Sequence, residues 1–459
     1  MKQQAKTLLM RSFKLLHALV VTALLVVCAY FWYIPMLEIT RSIGYLMAVT
    51  VIYLMMLLLL GRIYCIYMVG TSRVRQLMYS QSLTLLICAA LSYVAVSVFK
   101  LKLINPLPLL VLLVAQLLWS ALWCFLANRL YFQLNDPKKS VIIYAKEDDL
   151  RTLREIEYFD GKFEVIRQVQ EFENWQDAME NADVAFVVVS DLDRRNDIVK
   201  YCVTHGIQCY FPPKVGDVLI AGADHMQAFS VPLVRVRRKT PSAEYLVIKR
   251  CFDIVVSVLA IILLSPFMLA TAIAIKAYDK GPVLYKQVRL TQNRKEFKVL
   301  KFRSMRVDAE KDGIARLSTE NDDRITPVGK LIRKIRFDEL PQLFNILKGD
   351  MTIVGPRPER PEIAAQYEKE IPSFGLRLQV KGGLTGYAQV YGRYNTEPYD
   401  KLKMDLMYIN NMSVVEDLRI MLATVKVLFL KESTEGIEEG QTTASHKAEA
   451  EEKDVVGVR

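Results

Sequence analysis

Residues 254–275 read Ile254-Val-Val-Ser-Val-Leu-Ala-Ile-Ile-Leu-Leu-Ser265-Pro266-Phe-Met-Leu-Ala-Thr-Ala-Ile-Ala-Ile275. This stretch is long enough and apolar enough to cross a bilayer. Its centre holds Ser265-Pro266, however, and a proline inside a helix removes one hydrogen bond and crowds the preceding turn. Lys249 and Arg250 flank one end, and Lys276 and Lys280 flank the other. Cations on both sides suit a helix that enters one leaflet, kinks and returns. A straight span is the alternative. The choice decides on which side of the membrane everything after residue 276 lies.

Upstream, four apolar segments at 15–34, 43–60, 80–99 and 106–127 each approach the length of a membrane span. Lys2, Lys6, Arg11 and Lys14 precede the first; Arg62, Arg73 and Arg75 separate the second from the third; Arg129, Lys138 and Lys139 follow the fourth. The other two loops carry only Arg41, then Lys100 and Lys102. This bias predicts a cytoplasmic N terminus and cytoplasmic residues after 128. The first segment lacks a small-residue cleavage site and more spans follow, so it reads as a retained anchor rather than a signal peptide. No acid lies inside the four spans, which predicts an anchor rather than a transport path.

The chain has 459 residues, 52% of them hydrophobic, and a net charge of +11. In a membrane protein such an excess reads first as cytoplasmic loops and contact with anionic lipid. No nucleic-acid motif accompanies it, and no nucleic-acid partner is expected. The seven cysteines fit no zinc spacing and are read as packing residues facing a reducing compartment.

Between 135 and 240 the pattern changes. Val141–Tyr144, Val184–Val189 and Gly206–Phe211 are strand candidates separated by charged helical stretches, which predicts a parallel, Rossmann-like α/β sheet. The turn Tyr144–Asp149 has no glycine and three acids, so no dinucleotide is expected there. Arg235, Arg237, Arg238 and Lys239 form a basic linker suited to a membrane surface.

The chemistry-bearing residues lie further on. Leu284 to Val307 holds eight cations against the single acid Glu296, alternating with apolar residues as in a paired strand. From Arg324 to Phe337 there is no acid, and then come Asp338 and Glu339. Carboxylates among cations stay ionised and can act as nucleophile or metal ligand, while the cations can hold phosphates. A helix is expected from Pro327 to Ile335 and a second from Asp338, with Asp338 as its N-cap. An Asp-Glu pair before a helix is by itself most often only a cap. Gly355-Pro356-Arg357-Pro358 follows, its arginine held between prolines, then Lys381-Gly-Gly-Leu-Thr-Gly386 and Gly392-Arg393. Val414–Leu430 reads as an amphipathic helix.

In their order and spacing, Lys301-Phe-Arg303-Ser-Met305, Asp338-Glu-Leu-Pro-Gln342, Val354-Gly-Pro-Arg-Pro358 and Leu384-Thr-Gly386 resemble the bacterial sugar transferases, the polyprenol-phosphate hexose-1-phosphate transferases. The resemblance covers residues 245–432. It implies a monotopic phosphoglycosyltransferase of the large form: four transmembrane helices (1–134), a cytoplasmic Rossmann-like domain (135–240), a mainly helical catalytic domain on a re-entrant helix (241–432) and a disordered tail (433–459). It favours the returning form of 254–275, with Ser265 and Pro266 at the kink. It implies transfer of a sugar 1-phosphate from a UDP-sugar to undecaprenyl phosphate, on the cytoplasmic face of the inner membrane, at the start of capsule, exopolysaccharide or O-antigen synthesis. Asp338 would be the nucleophile and Glu339 its metal-binding or proton-handling neighbour, with Mg2+ on either. Lys301, Arg303, Arg357, Lys381 and Arg393 are the expected substrate contacts. Membrane lipids are expected partners, and a homodimer is implied. Lys381-Gly-Gly383 departs from the family's Lys-Pro-Gly, without loss of a chemically active group. A metal-dependent hydrolase with the same carboxylates, and a scaffold with a degenerate catalytic end, are the other function classes open to the sequence.

Overall fold

The computed structural model describes residues 2–36, 43–70, 72–146, 161–189, 191–228, 231–307, 309, 322, 324–392 and 396–428. The chain packs as two units, Met1–Pro212 and Pro213–Arg459.

The first unit opens with four long helices: α1 (Lys2–Cys28, running on through a π-helical turn at Ala29–Tyr33), α2 (Ile43–Ile63), α3 (Val74–Lys100) and α4 (Leu107–Leu134). All four are long and apolar enough to cross a membrane. They exceed the sequence-predicted spans because hydropathy detects only the apolar middle, whereas the backbone ladder continues into the polar ends. Polar side chains join α1 to α4: Gln116 Nε2 donates to the Val21 carbonyl at 2.9 Å, and Trp123 Nε1 to that of Phe13 at 3.1 Å. Such bonds hold helices together where lipid removes the hydrophobic drive between them.

After α4 comes a four-stranded parallel sheet: β1 (Lys138–Tyr144), β2 (Phe163–Gln170), β3 (Val184–Val188) and β4 (Gln208–Tyr210), in the order β2-β1-β3-β4. Helix α5 (Leu192–His205) connects β3 to β4. The Asp191 carboxylate caps α5, and Gly206 ends it at φ 72°. Val141, Ile142 and Ile143 are all buried, as a sheet covered on both faces requires. β2 was not expected, because its inward and outward residues do not alternate cleanly. The acid turn after β1 lies outside the described residues from Glu147 on.

The second unit begins earlier than the composition suggested. Helix α6 (Val215–Ala221) buries Val215 and Val218 in the same core as Leu402 and Ile409. The hairpin β5 (Asp224–Ala228) and β6 (Val231–Arg235) follows, and the expected basic linker comes after it: Arg237, Arg238 and Lys239 lie between β6 and the next helix. The expected boundary at 240 therefore lies inside the second unit.

Helix α7 (Ala243–Asp279) contains the apolar stretch 254–275, and it passes through Pro266 as one helix. Ser265 Oγ donates to the Ile262 carbonyl at 2.8 Å, the acceptor that Pro266, lacking an N–H, leaves unserved in the helix ladder. Beyond it lie the antiparallel hairpin β7 (Leu284–Leu290) and β8 (Glu296–Phe302), α8 (Pro327–Lys334), a 3-10 turn (Phe337–Glu339) and α9 (Gln342–Lys348). Then come β9 (Thr352–Val354), α10 (Pro361–Glu370), a second 3-10 segment (Phe374–Gln379) and β10 (Gly383–Thr385). α11 (Tyr387–Tyr391), α12 (Pro398–Asn410) and α13 (Val414–Leu428) complete the unit. Leu343, Ile346, Met351, Val354, Leu406 and Ile420 share its main core. Each such side chain contributes about 1.5–3 kcal/mol by leaving water.

Both halves of α7 pack on this unit. In the first half, Arg250 donates to the carbonyls of Ile346 and Leu347, at 2.6 and 2.7 Å, capping the C-terminal end of α9. In the second half, the Phe267 ring meets Phe337 with centroids 6.3 Å apart, and Ile275 packs with Phe302 and Ile332. Between them, Val258, Leu259, Ile262 and Leu263 are exposed.

Candidate active site

Glu339 is the hub of the site. Its Oε1 accepts from Arg357 Nη2 at 2.7 Å and from Lys301 Nζ at 3.0 Å. The three side chains come from three elements: Lys301 from β8, Glu339 from the 3-10 turn, and Arg357 from the loop after β9. Asn345 joins the first two. Its Nδ2 donates to the Lys298 carbonyl and its Oδ1 accepts from Leu300 N, both at 2.9 Å, so α9 serves as an extra partner for β8. Asp253 secures the third. Its two oxygens accept from Ile353 N at 3.0 Å and Thr352 Oγ1 at 2.7 Å, tying β9 to α7.

Asp338 is not the N-cap of α9, contrary to the sequence expectation. It lies in the 3-10 turn, and α9 starts after Pro341. Pro341 has no N–H to give, so a helical ladder cannot run unbroken from the dyad into α9. Arg336 enters the turn in the left-handed region, at φ 55°. A non-glycine residue held there costs about 1–2 kcal/mol, which the surrounding packing must supply.

The two carboxylates differ electrostatically. Burial disfavours charge on Glu339, but Arg357 and Lys301 outweigh it and hold its carboxyl well below the usual range. Burial, and then the charge of Glu339, push the Asp338 carboxyl up; Lys301, Arg333 and Arg357 only partly counter this. Burial also lowers Lys301. Glu339 is thus the fixed anion, and Asp338 is the carboxylate that a further cation would relieve.

Arg357 follows a close backbone crossing that needs glycine in both facing segments. A Cβ on Gly383 would fall 2.1 Å from Gly355 N, and one on Gly386 would fall 2.2 Å from Gly355 O. The Gly-Pro-Arg-Pro and Leu-Thr-Gly stretches therefore meet: β9 and β10 run parallel, and Gly355 N donates to Thr385 O at 2.8 Å.

The structure brings Lys301, Asp338, Glu339 and Arg357 together, and leaves other expected contacts elsewhere. Arg303 is buried and paired with Asp279 at the end of α7, where it ties that helix to β8. Lys381 donates to the Gly349 carbonyl at 2.9 Å, beside the Arg250 cap. Arg393 lies outside the described residues. Arg289 was not expected at the site. Its Nη1 donates to the Pro358 carbonyl at 3.0 Å, and its charge is felt by Lys301. Asp253 was also missed, although a lone acid inside an apolar run is a readable signal.

Fold and site together define a membrane-anchored protein with a paired-carboxylate centre lined by cations. The chain belongs to the bacterial sugar transferase family: the family model matches residues 244–431. An exopolysaccharide production protein PSS of Rhizobium leguminosarum bv. phaseoli is 43% identical over 189 residues, covering 39% of this chain and 94% of that protein. A UDP-N-acetylgalactosamine-undecaprenyl-phosphate N-acetylgalactosaminephosphotransferase of Aeromonas hydrophila is 44% identical over 191 residues, covering 41% of this chain and 45% of the relative. A UDP-glucose:undecaprenyl-phosphate glucose-1-phosphate transferase of Klebsiella pneumoniae is 42% identical over 208 residues, or 44% of each chain. The match thus spans less than half the length of these last two relatives.

Proposed function

We propose that this protein transfers a sugar 1-phosphate from a UDP-sugar to undecaprenyl phosphate, releasing UMP. The observation that carries this reading is the Lys301–Glu339–Arg357 constellation with Asp338 beside it, in a family two of whose compared members are named as undecaprenyl-phosphate sugar-phosphate transferases. Asp338 attacks the β-phosphorus through a carboxylate oxygen. The bond to the bridging oxygen breaks, UMP leaves with that oxygen, and the sugar phosphate stays on Asp338. An oxygen of the lipid phosphate then attacks the same phosphorus and restores the free carboxylate. Two displacements at one site let a water-soluble and a membrane-borne substrate react in turn. Arg357 and Lys301, with Arg289 near them, offer the cationic surroundings that phosphate oxygens need.

Magnesium fits this donor set in a limited way. Among the described residues there is no group of three or more His, Cys, Asp or Glu able to hold a metal. Mg2+ commonly takes one or two carboxylates and completes its shell with water and phosphate oxygens. Asp338 is the better placed ligand, since Glu339 already accepts from two cations. The ion would neutralise charge on the pyrophosphate.

The catalytic unit is assigned to the cytoplasmic face of the inner membrane, with α7 dipping into one leaflet and returning. Both halves of α7 pack on one unit, through Arg250 in the first and Ile275 in the second, while Val258, Leu259, Ile262 and Leu263 between these contacts stay exposed, as do further apolar residues along the helix. This supports the returning form.

The test is UMP release from UDP-glucose, UDP-galactose and UDP-N-acetylgalactosamine, with and without undecaprenyl phosphate. Lipid-dependent release, abolished by Asp338→Asn, is expected. Near-normal turnover of that variant would remove Asp338 from its role. Lipid-independent release without a labelled enzyme would point to hydrolysis.

A further inference from the structure

Four consecutive carbonyls around Arg357 each accept a bond from a different residue. Pro356 O takes Gly383 N at 2.9 Å, Arg357 O takes Arg377 Nη2 at 3.0 Å, Pro358 O takes Arg289 Nη1 at 3.0 Å, and Glu359 O takes Leu290 N at 2.9 Å. Three of the donors belong to β7 or the start of β10. The fourth, Arg377, comes from the 3-10 segment before β10 and points in from the core side. Its residue is 5% exposed, and the same Nη2 lies 2.6 Å from Oδ2 of Asp405, which is 1% exposed. The Phe374 ring covers the guanidinium, 5.0 Å from its centroid.

A buried ion pair of this kind gains little over two apolar side chains of the same volume, because desolvation offsets the attraction. What it supplies is a directed donor where the backbone presents an acceptor. Gly355 carries no side chain that could anchor the loop. Prolines 356 and 358 fix φ but not the orientation of the Arg357 peptide group. Arg377 supplies the donor to that peptide group's carbonyl. Its contacts are with the Arg357 carbonyl and Asp405, whereas the cations acting most strongly on Asp338 and Glu339 are Lys301, Arg333, Arg336 and Arg357.

We propose that Arg377, oriented by Asp405, is a positioning residue that sets the Arg357 peptide and so directs its guanidinium at Glu339 and at the transferred phosphate. The phosphate part of this inference rests on the function proposed above. A displacement of about 1 Å at such a group can cost up to about a hundredfold in rate.

The test compares full-length wild type with Arg377→Gln/Asp405→Asn, which leaves no buried charge unpaired, in the same detergent. Hydrogen exchange is followed in peptides spanning 353–361, 398–410 and 414–428, alongside turnover with the UDP-sugar selected by the release assay. Exchange in 353–361 is expected to quicken at least about tenfold, while α12 and α13 keep their protection and turnover falls at least about tenfold. Unchanged exchange in 353–361 would overturn the proposal. So would loosening of equal size in all three peptides, which would make the pair an ordinary core contact. Arg377→Lys, which keeps a cationic donor, should recover part of the protection; no recovery counts against a donor role. If wild type releases UMP from none of the sugars, the proposed reaction fails, while the exchange measurement still decides whether Arg377 holds the loop.

Discussion

Replacing Glu339 with Gln keeps the side chain's size and removes its charge. The Glu339 side chain is 12% exposed, and one oxygen holds both Arg357 and Lys301. A hydrogen bond to a charged partner is worth about 1.5–3 kcal/mol, against about 1 kcal/mol for a neutral one. Two such bonds weaken together and two cations are left facing each other, so about 3 kcal/mol of stability should be lost. For a domain of this size each kcal/mol moves the melting temperature by about 2–4 °C, so a drop of about 6–12 °C is expected at neutral pH. The pH dependence has a definite sign. Because the Glu339 carboxyl is held below its ordinary value of 4.5, its contribution is complete above that pH and is lost as pH falls through the lowered value. Gln does not titrate. The gap between wild type and Glu339→Gln should therefore stay constant above about pH 4.5 and close below it. Thermal unfolding in detergent across that range is the assay. A variant melting within about 2 °C of wild type at neutral pH would refute the reasoning. So would a gap that widens in acid.

The same substitution acts on catalysis: with the like charge gone and two cations released toward it, Asp338 should ionise more easily. The acid limb of any residual turnover should move to lower pH, and a shift to higher pH would contradict the electrostatic reading. Asp253→Ala removes two bonds to β9 and should destabilise the protein by about 3–5 kcal/mol, read as lost melting temperature and faster exchange at 352–354. Arg303→Ala should lower stability by about 1–3 kcal/mol through the loss of Asp279's partner, yet leave KM for the UDP-sugar unchanged; a raised KM would return Arg303 to the substrate site. Gly383→Ala sets a methyl against the Gly355 backbone and should give protein that fails to reach the folded state, whereas a folded, active variant would mean the two strands can separate.

Much of this molecule could be read from its residue order. The four N-terminal segments are long apolar runs with basic flanks, and the bilayer's thickness and lack of hydrogen-bonding partners turn such runs into helices whatever else the chain does. β1 and β3 were visible because a sheet covered on both faces needs continuous apolar stretches. Asp338, Glu339 and Arg357 stood out through local chemistry: adjacent acids after a run of cations, and an arginine between prolines. Arg303 and Lys381 look the same in sequence as Lys301, since each is a cation among apolar or glycine neighbours. Nothing local separates a cation that closes a helix end from one that faces a substrate.

That separation is made by long-range contacts. Lys301 becomes part of the site because Asn345 binds the β8 backbone, and Arg357 because Asp253 and Arg377 hold the strand and loop that carry it. Arg303 is committed elsewhere because Asp279 ends α7 beside it. The opposite titration of the two neighbouring carboxylates is likewise a property of distance and burial, which a sequence does not contain. By itself, then, the sequence determined which segments are apolar, which residue types are present and what chemistry they permit, because periodicity and composition are local. Only the tertiary structure decided which cations meet Glu339, because that depends on partners tens of residues away and on the water their packing excludes.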